Sequence, residues 1–181
     1  MADSAAPPLL LTLAPAPAAI GALLRGAIDA EQVGARRLHL AADQPDAGSA
    51  VQALREQTSL VLTADPDAPF ADLVDRVDLP EVIVDGSVLP EVVERVAQLA
   101  ARHDAAVSIS GRGDAALSVL LAALACGTHV RVGTADGPAA GEPRGPGRDD
   151  AALAARAAGL ARLAHRRPMT PDEARRALGL E

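Results

Sequence analysis

The chain has no lysine, tryptophan or tyrosine, a single phenylalanine (Phe70) and a single cysteine (Cys126). Without aromatic residues the core has to be assembled from Ala, Val and Leu, which bury less area per side chain. The same lack removes the stacking platforms on which single-stranded nucleic acids are held. All 17 cationic residues are arginine, which reads as a coding bias rather than a functional signal, and the formal net charge is −7. An acidic chain lacks the basic face that displaces counterions from a nucleic acid, so no nucleic-acid partner is expected. One cysteine forms no intrachain disulfide, which fits a reducing compartment. Cys126 follows Leu124 and Ala125 at the end of an apolar helix and reads as core filler. No apolar run approaches the roughly 20 residues that cross a bilayer. Residues 1–19 carry Asp3, no early Arg or Lys, and two prolines ahead of a short apolar run, which argues against a secretory signal. The expectation is a cytoplasmic protein with no membrane association.

What is present is an alternation of short apolar runs with helical stretches, the pattern of a parallel sheet built from strand–helix units. Strands are expected at Leu9–Leu13, Arg37–Ala41, Leu60–Thr63, Glu81–Val84, Ala106–Ile109 and His129–Val132. Helices are expected at Ala18–Val33, Ser49–Gln57, Pro69–Val77, Pro90–His103 and Asp114–Ala125. A Gly/Pro-rich loop, 137–148, then leads into C-terminal helices over 149–181. The last helix opens on Thr170-Pro171-Asp172-Glu173, a capping box with proline at the first helical position. At 181 residues there is room for one domain with a sizeable core. A closed eight-stranded (β/α) barrel takes roughly 250 residues. Six units fit either a doubly wound sheet or a barrel short of two units.

The stretch His129–Asp136, HVRVGTAD, concentrates the chemistry. It sets Arg131 and Asp136 at the C-terminal end of a strand, the end where parallel sheets bind ligands. Arg131 lies on the side opposite Val130 and Val132; inside a barrel an arginine there needs a carboxylate partner. Asp136 is the natural candidate, as a catalytic or as a structural ion pair. Gly111-Arg112-Gly113 lies between a strand and a helix, where backbone N–H groups can face a phosphate. A tight turn explains it equally well. His39, isolated between Leu38 and Leu40, reads as a structural histidine when taken alone.

Three segments, in order, resemble the beta-keto acid cleavage enzymes. Ala27–Gly48 resembles the family's first helix and the second strand, which ends H-x-H-x-R-D. Ser110–Asp136 resembles its last strand–helix–strand unit, and TPDEARRALGL at Thr170–Leu180 resembles its C-terminus. The resemblance implies a (β/α) barrel, here truncated to about six strand–helix units. It implies cleavage of a 3-keto acid with acetyl-CoA, giving acetoacetate and a new acyl-CoA. The family's zinc is held by two histidines of the second strand and a glutamate of the last. Those positions fall on His39, Ala41 and Ala135, so one ligand of the three that a catalytic zinc site needs is kept. Arg131 and Asp136 match the family's proton-abstracting pair. Thr63 and Ser87 match its substrate-contacting hydroxyls, and CoA phosphates would be the ligand of Gly111, Arg112 and Gly113. Two readings follow: a keto acid cleavage enzyme with an altered metal site, or a catalytically degenerate homologue kept as a binding or partner protein. Loss of two units would expose sheet edges, so a homo-oligomer is expected.

Overall fold

Alternate apolar positions on each strand decide how the sheet is covered. The computed structural model describes residues 6–85, 89–136 and 148–180. Six strands, β1 (Leu11–Leu13), β2 (Arg37–Leu40), β3 (Val61–Ala64), β4 (Glu81–Val84), β5 (Ser108–Gly111) and β6 (His129–Val132), form one sheet in the order β3-β2-β1-β6-β5-β4. Every neighbouring pair is parallel. The helices are α1 (Ile20–Val33), α2 (Ala47–Gln57), α3 (Leu89–Arg102), α4 (Ala116–Ala125), α5 (Arg148–Leu163) and α6 (Pro171–Ala177). The Gly/Pro-rich residues 137–147 lie outside the described residues.

The strand order is that of a barrel with one opening. The first and last strands pair, as they do where a barrel closes, whereas β3 and β4 are the two ends of the sheet. The sheet also curls. Arg37 of β2 and Glu81 of β4 form an ion pair although three strands lie between theirs in the sheet. The fold is therefore a (β/α) barrel reduced to six units, as the alternation and the resemblance imply.

On the outer face Leu11, Leu13, Leu38, Leu40, Leu62, Val84, Ile109 and Val130 join one apolar core with the helices. The near-absence of aromatics is met by close helix approach. Ala27 and Ala30 of α1 and Ala154, Ala157, Ala158 and Ala161 of α5 are fully buried, and α1 packs extensively on α5. Methyl-sized contact residues let two helices come near each other, which recovers packing that larger side chains would supply at greater distance.

The opening is where sequence and structure part. In place of a helix at Pro69–Val77 there is one 3-10 turn, Ala71–Leu73. Proline at 66 and 69 interrupts helix propagation upstream, and the segment beyond the turn serves another purpose. Asp75 N donates to Leu62 O at 2.7 Å, and its carboxylate accepts from Leu62 N at 3.3 Å. Asp75 thus occupies part of the free edge of β3, a device that blunts an exposed strand. The discontinuity falls between β3 and β4, and β4 and α3 beyond it are regular.

The C-terminal residues close the other end. Thr170 and Glu173 form the reciprocal capping box, with Pro171 opening the helix. Met169, Ala174 and Leu178 pack on Leu10 and Val61 as a floor. Arg166, 2% exposed, donates to the carbonyls of Thr128 (2.6 Å), Gly127 (2.9 Å) and Pro7 (3.0 Å), tying the entries of β1 and β6 together.

This clamp has a pH consequence. Burial, with the Arg166 charge second, lowers the His129 pKa to about 4, and His129 Nδ1 accepts a hydrogen bond from Leu10 N. Between pH 6.5 and 4 the unfolded chain takes up a proton there that the folded chain refuses, so stability falls as pH falls through that window. The loss attributable to His129 should reach up to about 3 kcal/mol. Urea unfolding from pH 7 to 4 checks it: His129→Asn should flatten the dependence above pH 4.5, and an unchanged slope would assign the effect to carboxylates.

Candidate functional site

Each strand sends polar residues to the face turned away from the helices. They are Thr12 on β1, Arg37 and His39 on β2, Thr63 on β3, Glu81 on β4, Ser108 and Ser110 on β5, and His129 and Arg131 on β6. The register sets them side by side: Thr12 pairs with both Arg37 and Arg131, His39 with Thr63, and Ser108 with both Glu81 and His129. Ser110 follows Ile109, the partner of Val130, and so stands beside Arg131. One level of the interior thus reads Ser110, Arg131, Thr12, Arg37 across four adjacent strands.

Glu81 is the hub. Its Oε2 accepts from Arg131 Nη1 at 2.6 Å, and its Oε1 accepts from Arg37 Nη1. His39 Nδ1 lies 3.7 Å from the same Oε2, and His39 Nε2 lies 3.5 Å from Asp65 Oδ1. Arg37 Nε donates to Thr63 Oγ1 at 2.9 Å, and that hydroxyl is 3.4 Å from His39 Nδ1. Arg37, His39 and Thr63 are all buried.

The cluster fixes its own charge states. Burial favours a protonated Glu81, yet Arg37, His39 and Arg131 together hold its carboxyl below the usual range. Burial lowers the Arg37 pKa, and Glu81 opposes that. His39 is pushed toward its neutral form, first by burial, with Glu81 and Asp65 acting against it and both arginines with it. Glu81 is thus held between two guanidiniums, with the Asp65 carboxylate on the far side of His39.

Three hydroxyls in this interior, those of Thr12, Ser108 and Ser110, are buried with no hydrogen-bond partner among the described residues. Buried polar groups in folded proteins nearly always find one.

The structure brings together His39, Thr63 and Arg131 of the expected site residues. It adds Arg37 and Glu81, which the sequence reading missed. Glu81 comes from β4, 50 residues before Arg131, and is a carboxylate partner of that interior arginine. Asp136 ends the 3-10 turn Thr134–Asp136, and its side chain lies outside the described residues, as does Ser87. The rim is positioned by Asp150 of α5, whose carboxylate accepts from Thr134 N at 2.8 Å and Thr134 Oγ1 at 3.0 Å. Gly111 has a packing reason: a Cβ there would meet the Val119 Cβ at 2.7 Å, so α4 could not lie this close. Arg112 is exposed beside it.

These residues do not fit a zinc ion. A dication would need His39 plus two more donors, and Ala41 and Ala135 offer none. Both oxygens of Glu81 already carry guanidinium protons, and taking it as a ligand would place the ion against two fixed cations. No group of three His, Cys, Asp or Glu side chains among the described residues is placed to hold a metal ion.

A curled parallel sheet with a charged cluster on its concave face belongs to the class of (β/α)-barrel proteins. A family model described as beta-keto acid cleavage enzyme matches residues 84–180, more than half of the chain. The chain belongs to the beta-keto acid cleavage enzyme family. The match includes Arg131, Ala135 and Asp136, while His39, Ala41 and Glu81 precede it. None of the curated proteins compared matches this chain. Among solved structures it is similar to the (S)-3-O-geranylgeranylglyceryl phosphate synthase of Thermoplasma acidophilum, in complex with sn-glycerol-1-phosphate. Identity is 11%, covering 83% of this chain and 92% of that one, with a TM-score of 0.46. No helix among the described residues is long and apolar enough to cross a membrane.

Proposed function

We propose that this protein is a keto acid-binding member of its family. The interior cluster receives the acid's carboxylate, and the acetyl-CoA-dependent cleavage has lapsed. The observation that carries this reading is the Arg37–Glu81–Arg131 cluster beside His39, with alanine at both other positions the resemblance assigns to zinc. Cleavage of a 3-keto acid builds enolate-like charge, which the family's metal would take up as a Lewis acid. The donors here support charge pairing and not metal ligation. A guanidinium recognises a carboxylate by charge-assisted hydrogen bonds, and Arg131 lies in the segment that matches the family.

Calorimetric titration with acetoacetate and longer 3-keto acids tests the reading. The protein should bind at least one of them, and Arg131→Met should weaken binding about 10-fold or more. An assay with acetyl-CoA and added zinc tests the other reading. Steady release of acetoacetate that disappears in Asp136→Asn would show that cleavage survives and would overturn the binding-protein conclusion.

A further inference from the structure

Arg37 has no task in the site that the resemblance implies. It is 3% exposed, on β2, two residues before His39 and on the same face. A buried arginine is costly to desolvate and is kept in place here by Glu81 and Thr63. Its neighbour across the β1–β2 pair is Thr12, fully buried, with a hydroxyl that meets no partner among the described residues. On the far side of Thr12 stands Arg131, and beyond that Ser110, 3% exposed, with a second unpartnered hydroxyl.

We propose that the row Ser110–Arg131–Thr12–Arg37 is an oxyanion-binding row that works without a divalent metal, with Arg37 supplying the second fixed cation of the site. This rests on the keto acid reading above and assigns the residues that carry it. Glu81 is a positioning residue: it reaches both guanidiniums from the opposite wall and keeps them facing the interior.

The row selects a ligand by charge and by donors. Its two guanidiniums recognise a carboxylate by charge-assisted hydrogen bonds. The hydroxyls of Thr12 and Ser110 can donate to a carboxylate or keto oxygen, which would satisfy groups otherwise orphaned. A small carboxylic acid carrying one further oxygen acceptor meets both conditions. Arg131 alone would bind a carboxylate; the row adds a second charge and two neutral donors aligned with it.

The test is titration of the intact protein with acetoacetate in excess EDTA, using as variants Thr12→Val, Ser110→Ala and Arg37→Met. Binding should persist in EDTA. Thr12→Val, which removes an unsatisfied hydroxyl at nearly constant shape, should leave thermal stability equal or higher while weakening binding about 5-fold or more. Ser110→Ala should behave alike, and Arg37→Met should lose about 10-fold or more. Binding that vanishes in EDTA, or that Thr12→Val and Arg37→Met leave unchanged, would overturn the row and leave the keto acid reading standing. Should neither acetoacetate nor any longer 3-keto acid bind under any condition, the reading itself falls, and the row with it. Thr12→Val and Ser110→Ala keep the test decisive if Arg37→Met fails to fold.

Discussion

Replacing Glu81 by glutamine should cost about 3–5 kcal/mol of stability, the range seen when one partner of a buried ion pair is removed. The amide keeps the shape and loses the charge, so Arg37 and Arg131 would lose the carboxylate that bridges them. For a chain of this length each kcal/mol moves the melting temperature by roughly 2–4 °C, and the expected fall is on the order of 10 °C. Thermal unfolding at pH 7 measures it, and a change below about 1 kcal/mol would mean that water, not Glu81, compensates the arginines. The triple replacement Arg37→Met, Glu81→Leu, Arg131→Met should recover much of the loss, because well-packed apolar groups often replace a buried ion cluster at no net cost. Recovery of stability without ligand binding would show that the cluster is kept for recognition.

A larger effect is expected at Gly133, just beyond β6. A Cβ built there would lie 1.9 Å from Ala14 O and 2.4 Å from Ala14 C. These are main-chain atoms of a segment tied to the same strand, with Ala14 N donating to Val132 O and Ala135 N donating to Ala14 O. Neither side can yield without separating β1 from β6. Gly133→Ala should therefore destabilise by more than about 4 kcal/mol or abolish folding, well above an ordinary substitution. Gly113 is the control. Its φ is +53 but a Cβ there meets nothing within 4 Å, so Gly113→Ala should cost only about 1–2 kcal/mol, the left-handed penalty alone. Circular dichroism and solubility of the two variants distinguish a packing clash from backbone strain; similar behaviour of the pair would refute the clash.

The architecture was legible wherever local chemistry decides it. The capping box at Thr170–Glu173 is complete within four residues, and β2, β4 and β6 start where their apolar runs start. The reading failed at Pro69–Val77, because Asp75 is held by the edge of β3 through contacts that no periodicity reveals. In the site, Arg131's need for a carboxylate was readable from its strand face; that Glu81 would accept from it was not. Asp136 is the carboxylate nearest in sequence, and its side chain lies outside the described residues; the curl of the sheet brings Glu81 across from another strand. A signal for the cluster was nonetheless present. Strands of a parallel sheet covered on both faces read as continuous apolar runs, and these do not. Arg37 and His39 alternate with Leu38 and Leu40, Ser108 and Ser110 flank Ile109, and His129 and Arg131 flank Val130. In these three strands one parity is polar throughout, which marks a face turned from the apolar core. Arg37 was passed over because it follows Arg36 at a strand entry, where arginines are usually solvated.

The pairing of β1 with β6 also governs how the chain reaches this structure. Strands 1 to 3 are neighbours in both sequence and space, and so are strands 4 to 6, so each half assembles from short-range contacts. The seam between the halves joins residues 119 positions apart, such as Leu10 and His129. Closing so long a stretch costs chain entropy that only the finished seam returns. The centre of the sheet, buried and rigid once formed, is thus its least local part, and the interior that gathers Arg37, Glu81 and Arg131 does not exist until the two halves meet.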